Sequence, residues 1–282
     1  MRLRGTRRSR NIEDRRRKRG GGAKASGLGG VGLLIVLAVG YFAGIDVSPL
    51  LQQATGGNPA NSAPRELSAQ EERAAEFSAR VLATTEDVWA REFPAQIGRD
   101  YRPPVLVLFA DTTQSPCGGA SGATGPFYCP ADNKAYLDTA FFATLSQQLG
   151  AKGDFAAAYV IAHEVAHHVQ NELGILSQVN NARQRASQTE ANALTVRLEL
   201  QADCLSGVWA RAVEGMLEPG DLEEALNAAR RIGDDHLQKR AGRVPQPHTF
   251  THGTSAQRSS WFARGYNSGQ MADCDTFSAR RL

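Results

Sequence analysis

Two histidines and a glutamate stand close together in the stretch His163-Glu164-Val-Ala-His167, within a run of apolar residues. Residues four positions apart lie on the same face of a helix, so His163 and His167 can both reach one metal ion. Glu164 directly follows the first histidine and is placed to accept a proton from water that the metal activates. The alternative is a pair of hydrogen-bonded histidines in a helical core, which needs no further ligand. The metal interpretation requires a third ligand.

The third ligand is expected in a later helix. A metzincin-type motif would place a histidine six residues after the second one, but that position is Leu173, so this class is excluded. Glu199 and Asp203 are instead two carboxylates four residues apart, which repel each other unless a cation lies nearby. We therefore expect Glu199 to complete a site of two histidines and one glutamate. Asp203 is expected to accept a hydrogen bond from the nitrogen of His163 that does not bind the metal.

Three protein ligands leave one position of a tetrahedral zinc ion open, which is the arrangement of a catalytic site. We expect one Zn²⁺ per chain and attack of water on an amide bond, with Glu164 as the general base. The predicted function is therefore that of a zinc metallopeptidase, a hydrolase acting on peptide or protein substrates. The alternative is a zinc-binding envelope scaffold or binding protein without proteolytic activity, whose function would not depend on Glu164.

Two residues near the end of the chain are candidates for contacts with the substrate. His252 precedes a predicted final helix, and a loop histidine can donate a hydrogen bond to the oxyanion of a tetrahedral intermediate. The alternative for His252 is a loop residue that caps the final helix or bonds to the backbone. Arg258 is a candidate for binding a substrate carboxylate.

Longer stretches around these residues resemble a known family. They are GPFYCPAD, GDFAAAYVIAHEVAHHVQ, VRLELQADCLSGVWA, LEPGDLEEALNAARRIGDDHLQ and FTHGTSAQRSSWFARGY, with the closing CDTF. Between about Phe93 and Phe277 the chain is similar to the bacterial membrane-anchored neutral zinc metallopeptidases. The resemblance implies a zincin-like metallopeptidase fold, with the same three zinc ligands and the same catalytic glutamate that the spacing indicates.

Charge is divided unevenly along the chain. The net charge is +3, but residues 1–45 carry 11 Lys and Arg against 2 Asp and Glu, and residues 1–26 are predicted to be a basic cytoplasmic tail. Residues 27–45 contain no charge and would span about 28 Å as a helix, close to the thickness of a bilayer's hydrocarbon core. The positive-inside rule predicts a single-pass protein of a bacterial cytoplasmic membrane, with a cytoplasmic amino terminus and an extracytoplasmic carboxyl-terminal domain. A cleaved signal peptide is the alternative.

The rest of the chain divides into a linker and a folded domain. Residues 46–66 are rich in Gly, Asn, Ser, Pro and Gln and are predicted to be a flexible linker. The zinc metallopeptidase domain is predicted at 67–282, because the residues from Ser68 to Glu71 have the form of a helix capping box. The basic tail contains no interleaved aromatic residues and leads into the predicted membrane helix. We therefore expect a membrane as partner and no nucleic acid.

The four cysteines are consistent with a domain that is exported from the cytoplasm. Cys117, Cys129, Cys204 and Cys274 form no C-x-x-C pair, which argues against a cysteine zinc site. They allow three disulfide pairings, and the sequence does not distinguish among them. We take Cys117–Cys129 and Cys204–Cys274 as the expected pairs, because the first closes a local loop and the second ties down the end of the chain.

Helices are predicted to outnumber strands. An apolar run at 104–109 predicts one strand, and 125–129 with 134–138 predicts a hairpin. Helical patterns follow, including 154–173 and about 187–213. The predicted fold is α+β: a mostly helical domain with a small antiparallel sheet, preceded by one transmembrane helix. A hydrophobic content of 41% with 22% charged residues excludes an intrinsically disordered chain.

Overall fold

The structure is mostly helical with a small sheet, which is compatible with the predicted α+β class. The computed structural model describes residues 1–17, 66–121 and 125–282. No helix in these ranges is long and apolar enough to cross a membrane. The transmembrane helix predicted at 27–45 and nearly all of the linker predicted at 46–66 lie outside the described residues.

The first long helix, α1 (Ala69–Ile97), begins at the predicted capping box. The Ser68 hydroxyl accepts a hydrogen bond from the backbone N–H of Glu71, and the Glu71 carboxylate accepts one from the backbone N–H of Ser68. These two bonds satisfy backbone donors that a helix start otherwise leaves unpaired. The helix ends at Gly98, whose φ of 75° lies in the left-handed region that favours glycine.

Within the described residues, the main sheet contains β1 (Ile12–Asp14), β2 (Val105–Phe109), β5 (Phe127–Cys129) and β6 (Lys134–Asp138). Their order across the sheet is β1-β2-β6-β5. The first three in that order run parallel, and β5 is antiparallel to β6. The predicted hairpin is therefore present, but the prediction of an antiparallel sheet is wrong. A tight hairpin is visible in local sequence, whereas parallel pairs join segments that are distant in sequence.

Two disulfides fix segments around the site. The strands β3 (Thr112–Ser115) and β4 (Gly118–Ser121) form an antiparallel ribbon with Cys117 in its turn. Cys117 is bonded to Cys129 at the end of β5, so the ribbon is tied to the sheet. Cys204 is bonded to Cys274, 70 residues later. Both are the pairs expected from the sequence.

The remaining helices follow β6 in the chain. They are α2 (Phe141–Ala143), which continues into a π-helical turn at Thr144–Gln148, then α3 (Asp154–Glu172), α4 (Ile175–Arg183), α5 (Gln188–Ala212), α6 (Asp221–Arg231), α7 (Asp234–Arg240) and α8 (Ser255–Ser268). Helices α3 and α5 carry the H-E-x-x-H stretch and the later carboxylate pair, respectively.

Helices α5 and α8 approach each other closely through two glycines. A Cβ atom at Gly207 would clash with the backbone of Phe262, and one at Gly265 would clash with the backbone of Cys204. Only glycine permits this distance between the helix backbones. The contact brings the start of α8, with Arg258, against the part of α5 that contains Asp203.

The first 17 residues pack against the body of the protein. Met1 and Leu3 are buried in the main hydrophobic core, and β1 pairs with β2. Arg16 is only 3% exposed and forms ion pairs with two carboxylates. This corrects the predicted division in which residues 1–26 form a separate basic tail and the domain begins at 67.

This packing bears on the predicted membrane topology. A helix that crosses a bilayer once places the residues before and after it on opposite sides. Strand β1 precedes the segment 27–45 and β2 follows it, yet the two strands are neighbours in one sheet. The predicted arrangement, with residues 1–26 in the cytoplasm and the domain outside, does not fit this pairing. Composition shows the basic charge of the segment but not its acidic partners on α1, such as Glu76 and Glu86.

Candidate metal centre

Three predicted ligands converge between helices α3 and α5. His163 and His167 lie one turn apart on α3, and Glu199 lies on α5. Nε2 of His163 is 3.1 Å from Oε2 of Glu199, and Nε2 of His167 is 3.5 Å from Oε1 of Glu199. Zinc bonds of about 2.0–2.1 Å in tetrahedral geometry separate ligand atoms by about 3.3 Å. Both distances are close to this value, and one ligand atom from each side chain lies within 4.8 Å of the other two, so the three side chains can hold one zinc ion.

The carboxylate of Glu199 also fits a cation site because of its burial. Its side chain is 2% exposed, and Oε1 accepts no hydrogen bond from any residue in the described part of the chain. A buried polar atom without a partner is costly, and a bound cation would supply one. Burial alone would raise the pKa of Glu199, but the charges of His167 and His163 outweigh it and the pKa is lowered. The carboxylate is therefore held in its ionised, metal-binding form.

Asp203 lies next to His163, one turn beyond Glu199 on α5. Its Oδ1 is 2.9 Å from Nδ1 of His163 and accepts a hydrogen bond of 2.5 Å from the hydroxyl of Tyr159. Burial raises the pKa of Asp203, but the guanidinium of Arg258 outweighs this effect and lowers it. An ionised Asp203 favours a proton on Nδ1 of His163, which leaves Nε2 to face the metal position.

Arg258, the candidate for binding a substrate carboxylate, is paired with Asp203. Its side chain is 2% exposed, and its guanidinium donates hydrogen bonds of 2.8 and 2.9 Å to the two carboxylate oxygens of Asp203. A further bond goes to the backbone oxygen of Ile232. Such a bidentate pair fixes the orientation of both groups. Arg258 contributes to the cavity wall, but its donors hold Asp203 and are not available to a substrate carboxylate in this arrangement.

Glu164 lines a cavity of about 470 Å³ together with the three candidate ligands. Burial raises the pKa of its carboxyl group to about 7. A general base works best when its pKa lies near the operating pH, because it must both accept and release a proton. The position of Glu164 in the cavity, directly beside His163, therefore suits the predicted role.

Apolar side chains form most of the cavity wall away from the ligands. They include Phe127, Tyr128, Phe141, Leu149, Val160, Leu176, Leu198, Ile232 and Leu237. Asn180, Arg183 and Gln238 add polar groups. A wall of this composition, next to a few convergent polar groups, is typical of a site that binds an organic ligand.

His252 lines the same cavity and is held by the start of α7. Its Nδ1 lies 3.3 Å from Oδ1 of Asp234 and 3.1 Å from the hydroxyl of Thr251. Oδ2 of Asp234 accepts hydrogen bonds from three successive backbone N–H groups, those of residues 251–253. Burial lowers the pKa of His252, but the Asp234 carboxylate outweighs it and raises the pKa. The cap of α8 is Thr254, so His252 is not the capping residue.

Three residues that position the site were not predicted from the sequence. Tyr159 bonds to Asp203, and Gln170 places its Oε1 2.9 Å from Nδ1 of His167. Tyr159 is four residues before His163, and Gln170 is three residues after His167, so helical spacing could have found both. Asp234 could not be found this way, because its partners belong to a loop 17 to 19 residues later in the chain.

Comparisons with known proteins agree with the geometry. Residues 1–277 match the family model described as "Putative neutral zinc metallopeptidase". The uncharacterized protein YpfJ of Escherichia coli (strain K12) is 48% identical over 289 residues, which cover 98% of this chain and 99% of that protein. The uncharacterized protein Mb2605 of Mycobacterium bovis is 44% identical over 216 residues, which cover 72% of this chain and 71% of that protein. No solved structure matches the chain.

Proposed function

The chain belongs to the neutral zinc metallopeptidase family, and on that premise we propose that it is a peptidase that hydrolyses peptide bonds with Glu164 as the general base. The main support for the proposal is one observation. One ligand atom from each of His163, His167 and Glu199 lies within 4.8 Å of the other two, on the wall of a cavity that Glu164 also lines. A purely structural zinc site is closed by four protein ligands and needs neither a neighbouring carboxylate nor a cavity.

The side chains of His163, His167 and Glu199 would hold the zinc ion. When bound, zinc supplies the Lewis acid that polarises the scissile carbonyl group and acidifies water. Asp203 and Gln170 orient the two imidazole rings through their Nδ1 atoms, so that both Nε2 atoms point to one position.

Two residues would move or stabilise charge during the reaction. Glu164 accepts the proton of the attacking water and passes it to the leaving amide nitrogen, which has to be protonated before it departs. His252 donates a hydrogen bond from Nε2 to the oxyanion of the tetrahedral intermediate, while Asp234 fixes its ring from the other side. The largely apolar wall favours peptide segments with apolar side chains beside the scissile bond.

The test separates zinc binding from hydrolysis. We would measure bound zinc and cleavage of a mixed peptide library for the full chain, for Glu164→Gln and for Glu199→Ala. The first variant should keep zinc and lose cleavage by about 10²- to 10⁴-fold, and the second should lose zinc. Glu172→Gln makes the same change at the end of the same helix, away from the cavity, and should behave as the parent chain. Full zinc content with no cleavage by the parent chain would favour the non-proteolytic scaffold instead.

Membrane attachment through residues 27–45 is part of the proposal. It is supported by the absence of charged residues from this segment. The two disulfides favour an oxidising, extracytoplasmic compartment for the body. Because β1 and β2 pair, we place residues 1–17 in the same compartment as the body, so residues 27–45 would enter and leave the membrane on that side and not cross it once.

A further inference from the structure

Two buried glutamine side chains connect the ring of His167 to the segment that follows α8. Oε1 of Gln170 lies 2.9 Å from Nδ1 of His167. Nε2 of Gln170 donates hydrogen bonds of 2.7 Å to the backbone oxygen of Leu198 and of 3.0 Å to Oε1 of Gln201. Nε2 of Gln201 donates at 3.1 Å to the backbone oxygen of Cys274. The three bonds that join His167, Gln170, Gln201 and Cys274 in this order form an amide relay from α3 through α5.

The relay lies behind the candidate metal centre, not in it. Gln201 comes two residues after Glu199 on α5, yet neither Gln201 nor Gln170 lines the cavity. Gln201 is 7% exposed and Gln170 is 0% exposed. A buried amide without hydrogen bonds is costly, and here both N–H groups of Gln170 and its oxygen have partners. The burial therefore favours one bonded arrangement of the two amides.

Backbone carbonyl oxygens set the direction of the relay, because they can only accept hydrogen bonds. Leu198 and Cys274 each present such an oxygen, so an amide that faces one of them must turn its NH₂ group toward it. With Gln201 turned this way, its own oxygen faces Gln170. A reversed Gln170 amide would place its oxygen against two other oxygens, at 2.7 and 3.0 Å. The oxygen of Gln170 must therefore face His167.

This direction selects one tautomer of His167. An oxygen beside Nδ1 requires a proton on Nδ1, and a neutral imidazole carries only one proton. Nε2 then keeps its lone pair, and this is the atom that lies 3.5 Å from Oε1 of Glu199. A histidine binds a metal through a nitrogen that carries no proton. The relay thus favours the tautomer of His167 that can bind the metal.

The far end of the relay is fixed to α5 on both sides of Gln201. Cys204, three residues after Gln201, is bonded to Cys274 in the second disulfide. Arg197, four residues before Gln201, donates to the backbone oxygen of Thr276, and the hydroxyl of Thr276 donates to the backbone oxygen of Arg197. The carbonyl group of Cys274 is therefore held in place relative to the amide that it orients.

We propose that Gln201 is a positioning residue for the metal centre. Together with the carbonyl group of Cys274, it fixes the amide of Gln170 and thereby the tautomer of His167. The segment 274–276 then takes part in metal binding, although none of its residues lines the cavity. The inference rests on the metal site of the proposed function but not on hydrolysis. Its first readout is made on the metal-free protein, so it can be tested even if the protein cleaves no peptide.

The experiment reads the tautomer of His167 by NMR in the metal-free full chain, labelled with ¹⁵N in its histidine rings. The His167 signals are identified by their loss in His167→Gln. In the parent chain we expect the proton on Nδ1. Gln201→Met keeps the length of the side chain but removes the amide. We expect this variant to show a second population with the proton on Nε2. Its zinc affinity, measured by competition with a chelator, should fall about tenfold.

Gln201→Glu separates orientation of Gln170 from attachment of the segment 274–276. A carboxylate still offers an oxygen to Nε2 of Gln170, but it cannot donate to the carbonyl group of Cys274. The variant should be less stable than the parent. His167 should nevertheless keep its proton on Nδ1, and zinc affinity should stay close to that of the parent. If Gln201→Glu harms the tautomer and zinc binding as much as Gln201→Met does, Gln201 has only a structural role.

Gln96→Met is the matched control, because Gln96 also attaches the segment after α8 to the body. Its Nε2 donates to the backbone oxygen of Gly269, and its Oε1 accepts from the backbone N–H of Met271. Gln96 lies on α1, outside the relay, so this variant should keep the parent's tautomer and zinc affinity.

Two results would overturn the proposal. One is a His167 tautomer in Gln201→Met that is the same as in the parent chain. The other is a shift of equal size in Gln96→Met. If Gln201→Met does not fold, Gln201→Asn replaces it and should have the same effect, since an amide that is one methylene shorter cannot reach both Gln170 and Cys274.

Discussion

Nδ1 of His163 lies 2.9 Å from Oδ1 of Asp203. The two residues come from different helices, and the carboxylate is itself held by Tyr159 and Arg258. The imidazole of a candidate metal ligand is therefore oriented by a buried, ionised group whose own position is fixed by two further side chains. Mutation of such partners typically lowers metal affinity or activity by about 10- to 100-fold.

Asp203→Asn should weaken zinc binding by about 10- to 100-fold, because the amide no longer favours a proton on Nδ1 of His163. The substitution also leaves the Arg258 guanidinium buried without its counter-charge, so stability should fall by about 3–5 kcal/mol. Zinc affinity would be measured by competition with a chelator at a temperature where the variant is folded. Asp235→Asn, which changes a carboxylate on α7 that does not line the cavity, serves as the control; equal zinc affinity in both variants would contradict the orienting role.

Arg258→Lys should lower the unfolding temperature and leave substrate preference unchanged. A lysine cannot make the bidentate pair with Asp203. Because the pair is buried, its loss should lower the stability of the fold. We would compare cleavage of one peptide with a free carboxyl terminus and with an amidated terminus. The ratio of kcat/KM for the two should be the same in the parent and the variant. A ratio that shifts toward the amidated peptide would restore the role of substrate clamp.

His252→Ala should reduce kcat by about 10²- to 10³-fold with zinc content unchanged, since one donor to the oxyanion is lost. His248→Ala is the matched control, because His248 is an exposed histidine in the same loop and does not line the cavity. Steady-state kinetics with a single peptide substrate provides the measurement. The proposed role would fail if the two variants had the same kcat.

Residues 1–17 and the body should be accessible from the same side of a membrane. The described residues contain no free cysteine, so a single introduced cysteine can be labelled selectively. Arg10→Cys and Glu223→Cys both lie at exposed positions, one in the amino-terminal segment and one on α6. An impermeant maleimide applied to intact cells should label both to the same extent. Labelling of only one of them would show that the strands β1 and β2 are separated by the bilayer in cells.

Local sequence determined much of the candidate site and of the helical part of the fold. The spacing of His163 and His167 fixes two ligands on one helix face, because a helix repeats every 3.6 residues. The same rule places Glu199 one turn before Asp203. The hairpin of β5 and β6 and the capping box at Ser68 also depend only on residues that are neighbours in the chain.

Only the tertiary structure decided which distant groups meet. Arg258 carries a charge suited to a substrate carboxylate, but packing of α8 on α5 commits that charge to Asp203. The basic amino-terminal segment has the composition of a cytoplasmic flank, yet its arginines pair with carboxylates on α1. Composition and periodicity show which charged and apolar groups a segment contains. Which partners these groups meet depends on long-range contacts, which a one-dimensional pattern does not contain.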